Sequence, residues 1–393
     1  MQKDVLNQLL KPIRFGGLTI RYWDGEEIAY GDSPPTVCII FKEQPKNFDL
    51  SDPVIAFGEA YMDDLVDFNG SLADLNLLIE RNMDELYGGK IMSILRKRMT
   101  QISARRRNKE NIQHHYDLGN EFFKLWLDPS MTYSCAYFRS PVDALEQAQR
   151  QKNRYVLRKL CLRPGYHLLD IGSGWGQLII KAASDYGVKA TGITLSQEQF
   201  VATKEKIKSL GLDAQVDVKL LDYRDLDSNN QQFDRIVSIG MLEHVGQASL
   251  PLFMDKVDQL LLPGGLALLH NITCTREAIP NTWTEKYIFP GGYIPSLREL
   301  VKLLPEHDFH LLHLESLRRH YALTLDRWQE NYNRHLPEVE AQYGRRFSRM
   351  WNLYLLMSAA SFRSGLEIYQ MIFSKGLCED VPLTFDFLYQ GDL

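Results

Sequence analysis

The chain of 393 residues reads as an α/β protein: a doubly wound parallel sheet carrying a lid insertion, preceded by a small α+β unit. Three observations predict this. The chain is too long for one compact core, so two domains are expected. From about Tyr166 onward, short apolar runs alternate with helix-patterned segments, the order that builds a parallel sheet covered on both faces. Between the first such strand and helix lies Leu168-Leu-Asp-Ile-Gly-Ser-Gly-Trp-Gly176. Glycines spaced in this way permit a tight turn and a close approach of ligand to backbone at a strand's carboxyl end.

The elements follow in order. Leu18 to Trp23, the Asp24-Gly25 turn and Glu26 to Tyr30 form a predicted β-hairpin, and Thr36 to Phe41 is a further strand. Ser71 and Asp74 open an apolar-periodic segment with Leu72, Leu75, Leu78 and Ile79, a capped helix. In the α/β part, strands are expected at His167–Ile171, Val188–Ile193, Val216–Leu220, Phe233–Ile239 and Leu266–Asn271, the last after a Leu-Pro-Gly-Gly turn at 262–265. Helices are expected at Gln177–Asp185 and Gln197–Leu210. Regularity breaks at about 275–350, where Pro-Gly-Gly at 290–292 and aromatic-rich helical stretches suggest the lid, and strands resume at Phe309–Leu314 and Glu367–Phe373. The expected domains are 1–95 and 96–393.

Composition narrows the function. A net charge of −5 argues against a dedicated nucleic-acid binder. The five cysteines, Cys38, Cys135, Cys161, Cys274 and Cys378, are scattered and include no C-x-x-C pair, so neither a disulfide framework nor a metal site is expected, and a reducing cytoplasm fits. The N-terminus lacks the apolar run of a signal peptide, and no stretch of about 18 apolar residues occurs. A protein of this kind acting on lipid would visit the bilayer from one side. Residues 96 to 109 hold seven cations and no acid. They read either as a solvated linker or as a patch for anionic headgroups, where each cation near the surface contributes about 1 kcal/mol; RNA binding is the least favoured option.

The run D-x-G-x-G-x-G beginning at Asp170 is not the G-x-G-x-x-G of a dinucleotide loop. It resembles the S-adenosylmethionine loop of class I (Rossmann-like) methyltransferases. Where many of these place a ribose-binding acid after the second strand, this chain has Thr194-Leu-Ser-x-x-Gln199, and Asp222-Tyr223-Arg224 after the third strand suits an adenine amino group.

Several segments together resemble the cyclopropane-fatty-acyl-phospholipid synthases: His115-Tyr-Asp-Leu-Gly-Asn120 with Phe122 and Phe123, Met131-Thr-Tyr-Ser-Cys-Ala-Tyr-Phe138, the glycine loop, Met241-Leu-Glu-His-Val-Gly246, Leu269-His-Asn-Ile-Thr273 and His320 to Trp328. The resemblance runs from about residue 95 to 375. The N-terminal unit is similar to the extra domain of the phospholipid-acting members, which favours phospholipid over mycolate. The resemblance implies a methyltransferase sheet with a lid, bound bicarbonate, a homodimer and peripheral association with the inner face of the cell membrane. It also implies an S-adenosylmethionine shell of Tyr133, Ser134, Asp170, Gly172, Gly174, Trp175, Gly176, Thr194, Gln199, Asp222 and Tyr223. The implied bicarbonate set is Cys135, Glu243, His270, Ile272 through its backbone, and Tyr321. Some relatives carry a late-helix cysteine where this chain has Ser358.

The chemistry fits such a set. An alkene is a weak nucleophile, so the site must align it and exclude water. Methyl transfer leaves a cation on the acyl chain that aromatic faces would stabilise by about 2 kcal/mol; Tyr137, Phe138, Trp175 and Tyr287 are candidates. Ring closure then needs a base within hydrogen-bond reach of the transferred methyl group. His270 and the Ile272 N–H would donate to bicarbonate in that role, Tyr321 would donate through its hydroxyl, and Glu243 would accept its proton or orient a donor. His244, the neighbour of Glu243, is expected to point elsewhere. Two other readings stay open: a related methyltransferase making methyl-branched fatty acids or methylating an amine, and a non-enzymatic lipid-binding protein with a degenerate pocket.

Overall fold

The computed structural model describes residues 2–45, 48–49, 51–82, 118–275, 277 and 281–389. The basic run at 96–109 and His115, Tyr116 and Asp117 lie outside the described residues. The chain divides into two compact units, Met1–Ser103 with Ile279–Ile288 and Leu325–Leu366, and Ala104–Ala278 with Phe289–Thr324 and Glu367–Leu393.

The first unit is built on a four-stranded sheet of order β2-β1-β3-β4: β1 (Gly17–Arg21), β2 (Glu27–Gly31), β3 (Val37–Phe41) and β4 (Val66–Gly70). β1 and β2 form the expected antiparallel hairpin, Leu18 facing Tyr30 and Arg21 facing Glu27. β3 runs parallel to β1, and β4 antiparallel to β3. Leu18, Ile20, Val37, Ile39 and Val66 alternate inward from these strands to form a core with Leu6, Leu75 and Leu78. Leu75 and Leu78 come from the helix Leu72–Arg81, whose N-cap Ser71 accepts from the Asp74 N–H at 3.2 Å. The helix Arg345–Ser364 packs against this helix and against Pro53–Met62, and Arg349 on it donates to Asp67 at 2.8 Å. The segment read as a lid is thus shared out: 282–287 and 325–350 belong to the unit of the N-terminal sheet, and 289–324 to the other.

The second unit holds a seven-stranded sheet of order β10-β11-β9-β8-β5-β6-β7. Its strands are β5 (His167–Ile171), β6 (Lys189–Thr194), β7 (Val216–Leu220), β8 (Phe233–Ile239), β9 (Leu261–Cys274), β10 (Phe309–Ser316) and β11 (Leu366–Lys375). β7, β6, β5, β8 and β9 are parallel. At one edge β10 and β11 pair antiparallel. Phe233 pairs with Leu261 but Arg235 pairs with Leu266, so the Leu-Pro-Gly-Gly segment loops out of a ladder that extends further than expected. Leu168, Ile179, Val188, Ala190, Val237 and Leu268 share the core beneath the sheet and its helices. The chain steps outward from β5 to β6 and β7, then returns to β8 on the other side of β5. This topological switch point is where an open α/β sheet leaves a crevice for a ligand.

Candidate active site

The glycine turn closes the switch point. The N–H groups of Gly172 and Ser173 donate to the Ile193 carbonyl at 3.0 and 2.9 Å, tying the turn to β6. Gly172 has φ +90°, and a Cβ there would stand 3.0 Å from the Met241 side chain. Gly176, the N-cap of the helix Gln177–Tyr186, has φ +75°, and a Cβ would lie 2.3 Å from Thr203 Cγ2. Both positions demand glycine.

A cavity opens over this turn. Of the expected cofactor residues, Tyr133, Ser134, Asp170, Gly172, Gly174, Trp175, Thr194, Gln199, Asp222 and Tyr223 line it. Gly176 is absent from the lining and acts instead as the helix cap behind the loop. Trp175 Nε1 donates to Asn120 Oδ1 at 2.8 Å, and Thr194 Oγ1 donates to Gln199 Oε1 at 2.8 Å. Asp222 accepts from its own loop, from the Arg224 N–H at 3.0 Å and Arg224 Nε at 2.8 Å.

Sequence reasoning missed Lys152 and Asn153 and gave no cofactor role to Met241 or His244, which also line the cavity together with Arg224. Lys152 is buried on the helix Leu145–Lys159 and donates to Ser134 Oγ at 3.2 Å. Burial lowers its ammonium to about 8, against the pull of Asp128, Cys135 and Asp170. Asp170 is buried too, and burial raises it to about 7 although Lys152 pulls the other way. Its Oδ1 has no partner among the described residues. A buried carboxylate oxygen without a donor is costly unless a ligand supplies one.

The expected bicarbonate residues lie in the same unit, outside the lining of this cavity. Glu243 follows β8 and Ile272 lies on β9, and the Ile272 N–H donates to Glu243 Oε1 at 2.6 Å. The N–H expected to meet an anion is thus held by a carboxylate of the chain itself. Glu243 is half-buried as a residue, but its Oε2 is sealed from solvent and has no partner among the described residues. Burial raises the carboxyl to about 7, with the Ile272 N–H opposing. His270 faces Ile239 across the β8–β9 ladder. Its ring is buried, with Nδ1 3.2 Å from Gln370 Nε2 and Nε2 without a partner among the described residues. Burial holds the imidazole well below its usual range, so it is neutral. Cys135 is buried with its thiol directed at the Ala136 carbonyl at 3.2 Å, and burial pushes its ionisation far up. A thiol so placed is no nucleophile. Tyr321 is buried on the helix Arg318–Arg334.

His244 lines the cofactor cavity, which Glu243 does not, and its ring lies against Phe289; the sequence predicts no role at the cofactor for it. Of the four aromatic candidates for cation stabilisation, Trp175 alone lines the cavity. Tyr137 is stacked on His320 at 4.7 Å, and Tyr287 belongs to the other unit, hydrogen bonded to Glu59. Among the described residues no group of side chains is arranged to hold a metal ion, and no helix is long and apolar enough to cross a membrane.

The sheet order, the glycine turn and the cavity above it define a class I S-adenosylmethionine-dependent methyltransferase. Comparison with known proteins narrows the class. Residues 103–371 match the mycolic acid cyclopropane synthetase family, and residues 5–89 match a domain family of unknown function. The chain belongs to the mycolic acid cyclopropane synthetase family. It is 35% identical over 384 residues to a probable fatty acid methyltransferase of Pseudomonas putida, covering 95% of this chain and 96% of that one. It is 36% identical over 333 residues to the cyclopropane-fatty-acyl-phospholipid synthase of Escherichia coli K12, covering 84% and 85%. Among solved structures it resembles the mycolic acid cyclopropane synthase CmaA1 complexed with SAH and CTAB, with a TM-score of 0.65, 32% identity, and coverage of 70% of this chain and 99% of that one.

Proposed function

We propose that this enzyme adds a methylene from S-adenosylmethionine across the cis double bond of an unsaturated phospholipid acyl chain, forming a cyclopropane, with bicarbonate as general base. The observation that carries this reading is the pair of sealed polar atoms, Glu243 Oε2 and His270 Nε2, that have no partner among the described residues. Glu243 follows β8 in the short turn Leu242–His244 and His270 lies on β9, the parallel neighbour of β8, which also pairs with β5 below the cofactor turn. An acceptor and a ring nitrogen left unsatisfied in an interior suit a small ligand with both donor and acceptor character.

When bound, S-adenosylmethionine supplies a methyl group activated by its sulfonium. Asp170 would hold the amino group, Lys152 the carboxylate, Thr194 and Gln199 the ribose hydroxyls, and Asp222 and Tyr223 the adenine. Each of these side chains faces the cavity, and the unpartnered Asp170 Oδ1 needs the donor that an amino group provides. At the second site Glu243 can hold a proton at neutral pH, because its carboxyl stands near 7. Tyr321 and the neutral thiol of Cys135 would complete the walls. An anion reaching the Ile272 N–H must share it with Glu243 Oε1 or displace that oxygen.

The reading places the enzyme at the cytoplasmic face of the membrane as a peripheral homodimer, with the basic run at 96–109 meeting anionic headgroups. The domain limits 1–95 and 96–393 belong to the same proposal. A second reading, methyl branching of a fatty acid, is favoured by the name of the Pseudomonas putida relative.

Incubation with S-adenosylmethionine and vesicles of cis-monounsaturated phospholipid, followed by mass spectrometry of the released fatty acids, tests the proposal. A gain of one CH₂ with loss of the alkene signal is expected, and bicarbonate depletion should slow it. A retained alkene in the heavier product would favour branching. Methylation of an added amine with no change in the lipid would overturn the lipid reading.

A further inference from the structure

One buried polar chain in the catalytic unit has no part in the mechanism above. Lys159 is 1% exposed at the end of the helix Leu145–Lys159. Its Nζ donates to Glu315 Oε2 at 2.6 Å and to Gln370 Oε1 at 2.8 Å. Glu315, on β10, also accepts from the Tyr155 hydroxyl at 2.8 Å. Gln370, on β11, is fully buried, and its Nε2 meets His270 Nδ1 at 3.2 Å.

The direction of this chain follows from what each group can do. Burial lowers Lys159 to about 8 with Glu315 opposing, so below that pH it is an ammonium. An ammonium has donors and no acceptor, so the Gln370 oxygen must then face Lys159 and its NH₂ must face His270. An amide NH₂ only donates, so His270 Nδ1 must accept and carry no proton. A neutral imidazole has one proton, which must then reside on Nε2, the atom without a partner among the described residues.

We propose that Lys159 and Gln370 are positioning residues that fix the tautomer of His270, so that it presents an Nε2–H donor to the bound anion. This rests on the bicarbonate reading above for what the donor serves, but the tautomer itself does not. Sealing the relay inside the fold keeps the donor from being lost to water exchange or to an amide flip. Other charged or titratable groups also act on His270: Lys152 and Lys159 from the helix Leu145–Lys159 and His320 from the helix Arg318–Arg334 all disfavour its protonation, in addition to burial. The imidazole therefore stays neutral, and one tautomer must be chosen.

The test is nitrogen NMR on full-length protein labelled in its ten histidines, with the His270 signals assigned from His270→Asn. The wild type should show a protonated Nε2 and a bare Nδ1. In Gln370→Glu the new carboxylate accepts from Nδ1–H, so the tautomer should invert. The kcat should then fall about 10–100-fold at pH 7, as for other supports behind a functional histidine, with KM for S-adenosylmethionine unchanged. Activity of this variant should recover toward acid pH, because protonating the ring restores a proton on Nε2, whereas the wild type gains nothing there. Lys159→Met frees the Gln370 amide to flip and should mix the tautomers. A protonated Nδ1 in the wild type overturns the proposal even if neither variant folds. An unchanged tautomer in both variants overturns it too. If the expected spectrum is found but activity ignores added bicarbonate, the relay stands and the identity of the anion is wrong.

Discussion

Replacing Glu243 by glutamine should make the protein's stability less sensitive to pH. In the wild type, burial raises this carboxyl from 4.5 to about 7. Below 4.5 it is protonated whether the chain is folded or not, so it costs nothing. As pH rises from 4.5 to 7 the unfolded chain releases the proton while the folded chain keeps it, and the folded state loses stability through that window. Above 7 the cost is constant. At about 1.4 kcal/mol per tenfold difference in proton affinity, the full cost is about 3 kcal/mol, of which about 2.5 kcal/mol develops between pH 5 and pH 8. Partial exposure of the residue makes this an upper bound. Glutamine keeps an oxygen for the Ile272 N–H and places an amide where Oε2 was, at a pH-independent cost of about 1–3 kcal/mol. Urea unfolding of both proteins at pH 5, 6, 7 and 8, followed by circular dichroism, measures the difference. The variant should gain on the wild type by up to about 2.5 kcal/mol from pH 5 to pH 8, while methyl transfer to lipid falls. A stability difference independent of pH would refute the assignment of a protonated, buried Glu243.

Other perturbations have equally definite outcomes. Gly176→Ala combines a left-handed backbone with a Cβ 2.3 Å from Thr203 Cγ2; it should cost at least about 2 kcal/mol and abolish cofactor binding by calorimetry. Adding Thr203→Ser should recover part of that, because the serine keeps the hydroxyl that donates to the Gly174 carbonyl at 3.3 Å. Cys135→Ala should bind cofactor normally at a cost of about 1 kcal/mol, and wild-type activity should resist iodoacetamide at pH 8, since the thiol stays protonated. In the N-terminal unit, the fully buried Asn82 accepts from the Arg14 and Phe15 N–H groups and donates to the Phe15 and Leu78 carbonyls. Asn82→Ala should destabilise that unit by about 3 kcal/mol in thermal unfolding.

What the sequence made legible was set by pattern and turn chemistry. β5, β7 and β8 stood out as short apolar runs between turn signals, and the glycines after Asp170 marked the cofactor turn because few other residues tolerate its backbone. The illegible parts are polar groups in the interior. Gln149, Gln151, Lys152, Asn153 and Lys159 are all buried on one helix, yet binary patterning assigns such residues to solvent. Lys152 in the cavity and Lys159 behind His270 were hidden for that reason. The placement of Arg345–Ser364 with the N-terminal sheet was likewise invisible, because it depends on contacts far apart in the chain, such as Arg349 with Asp67. Periodicity also could not show that Glu243 would take the Ile272 N–H for itself.

The central claim is that this site closes a ring rather than leaving a methyl branch. S-adenosylmethionine deuterated on its methyl group, with vesicles of cis-monounsaturated phospholipid, tests it most directly. The account predicts a fatty acid that has lost its alkene and keeps two of the three deuterons, because a base has removed the third. A product that keeps all three deuterons, as an intact methyl branch would, contradicts it.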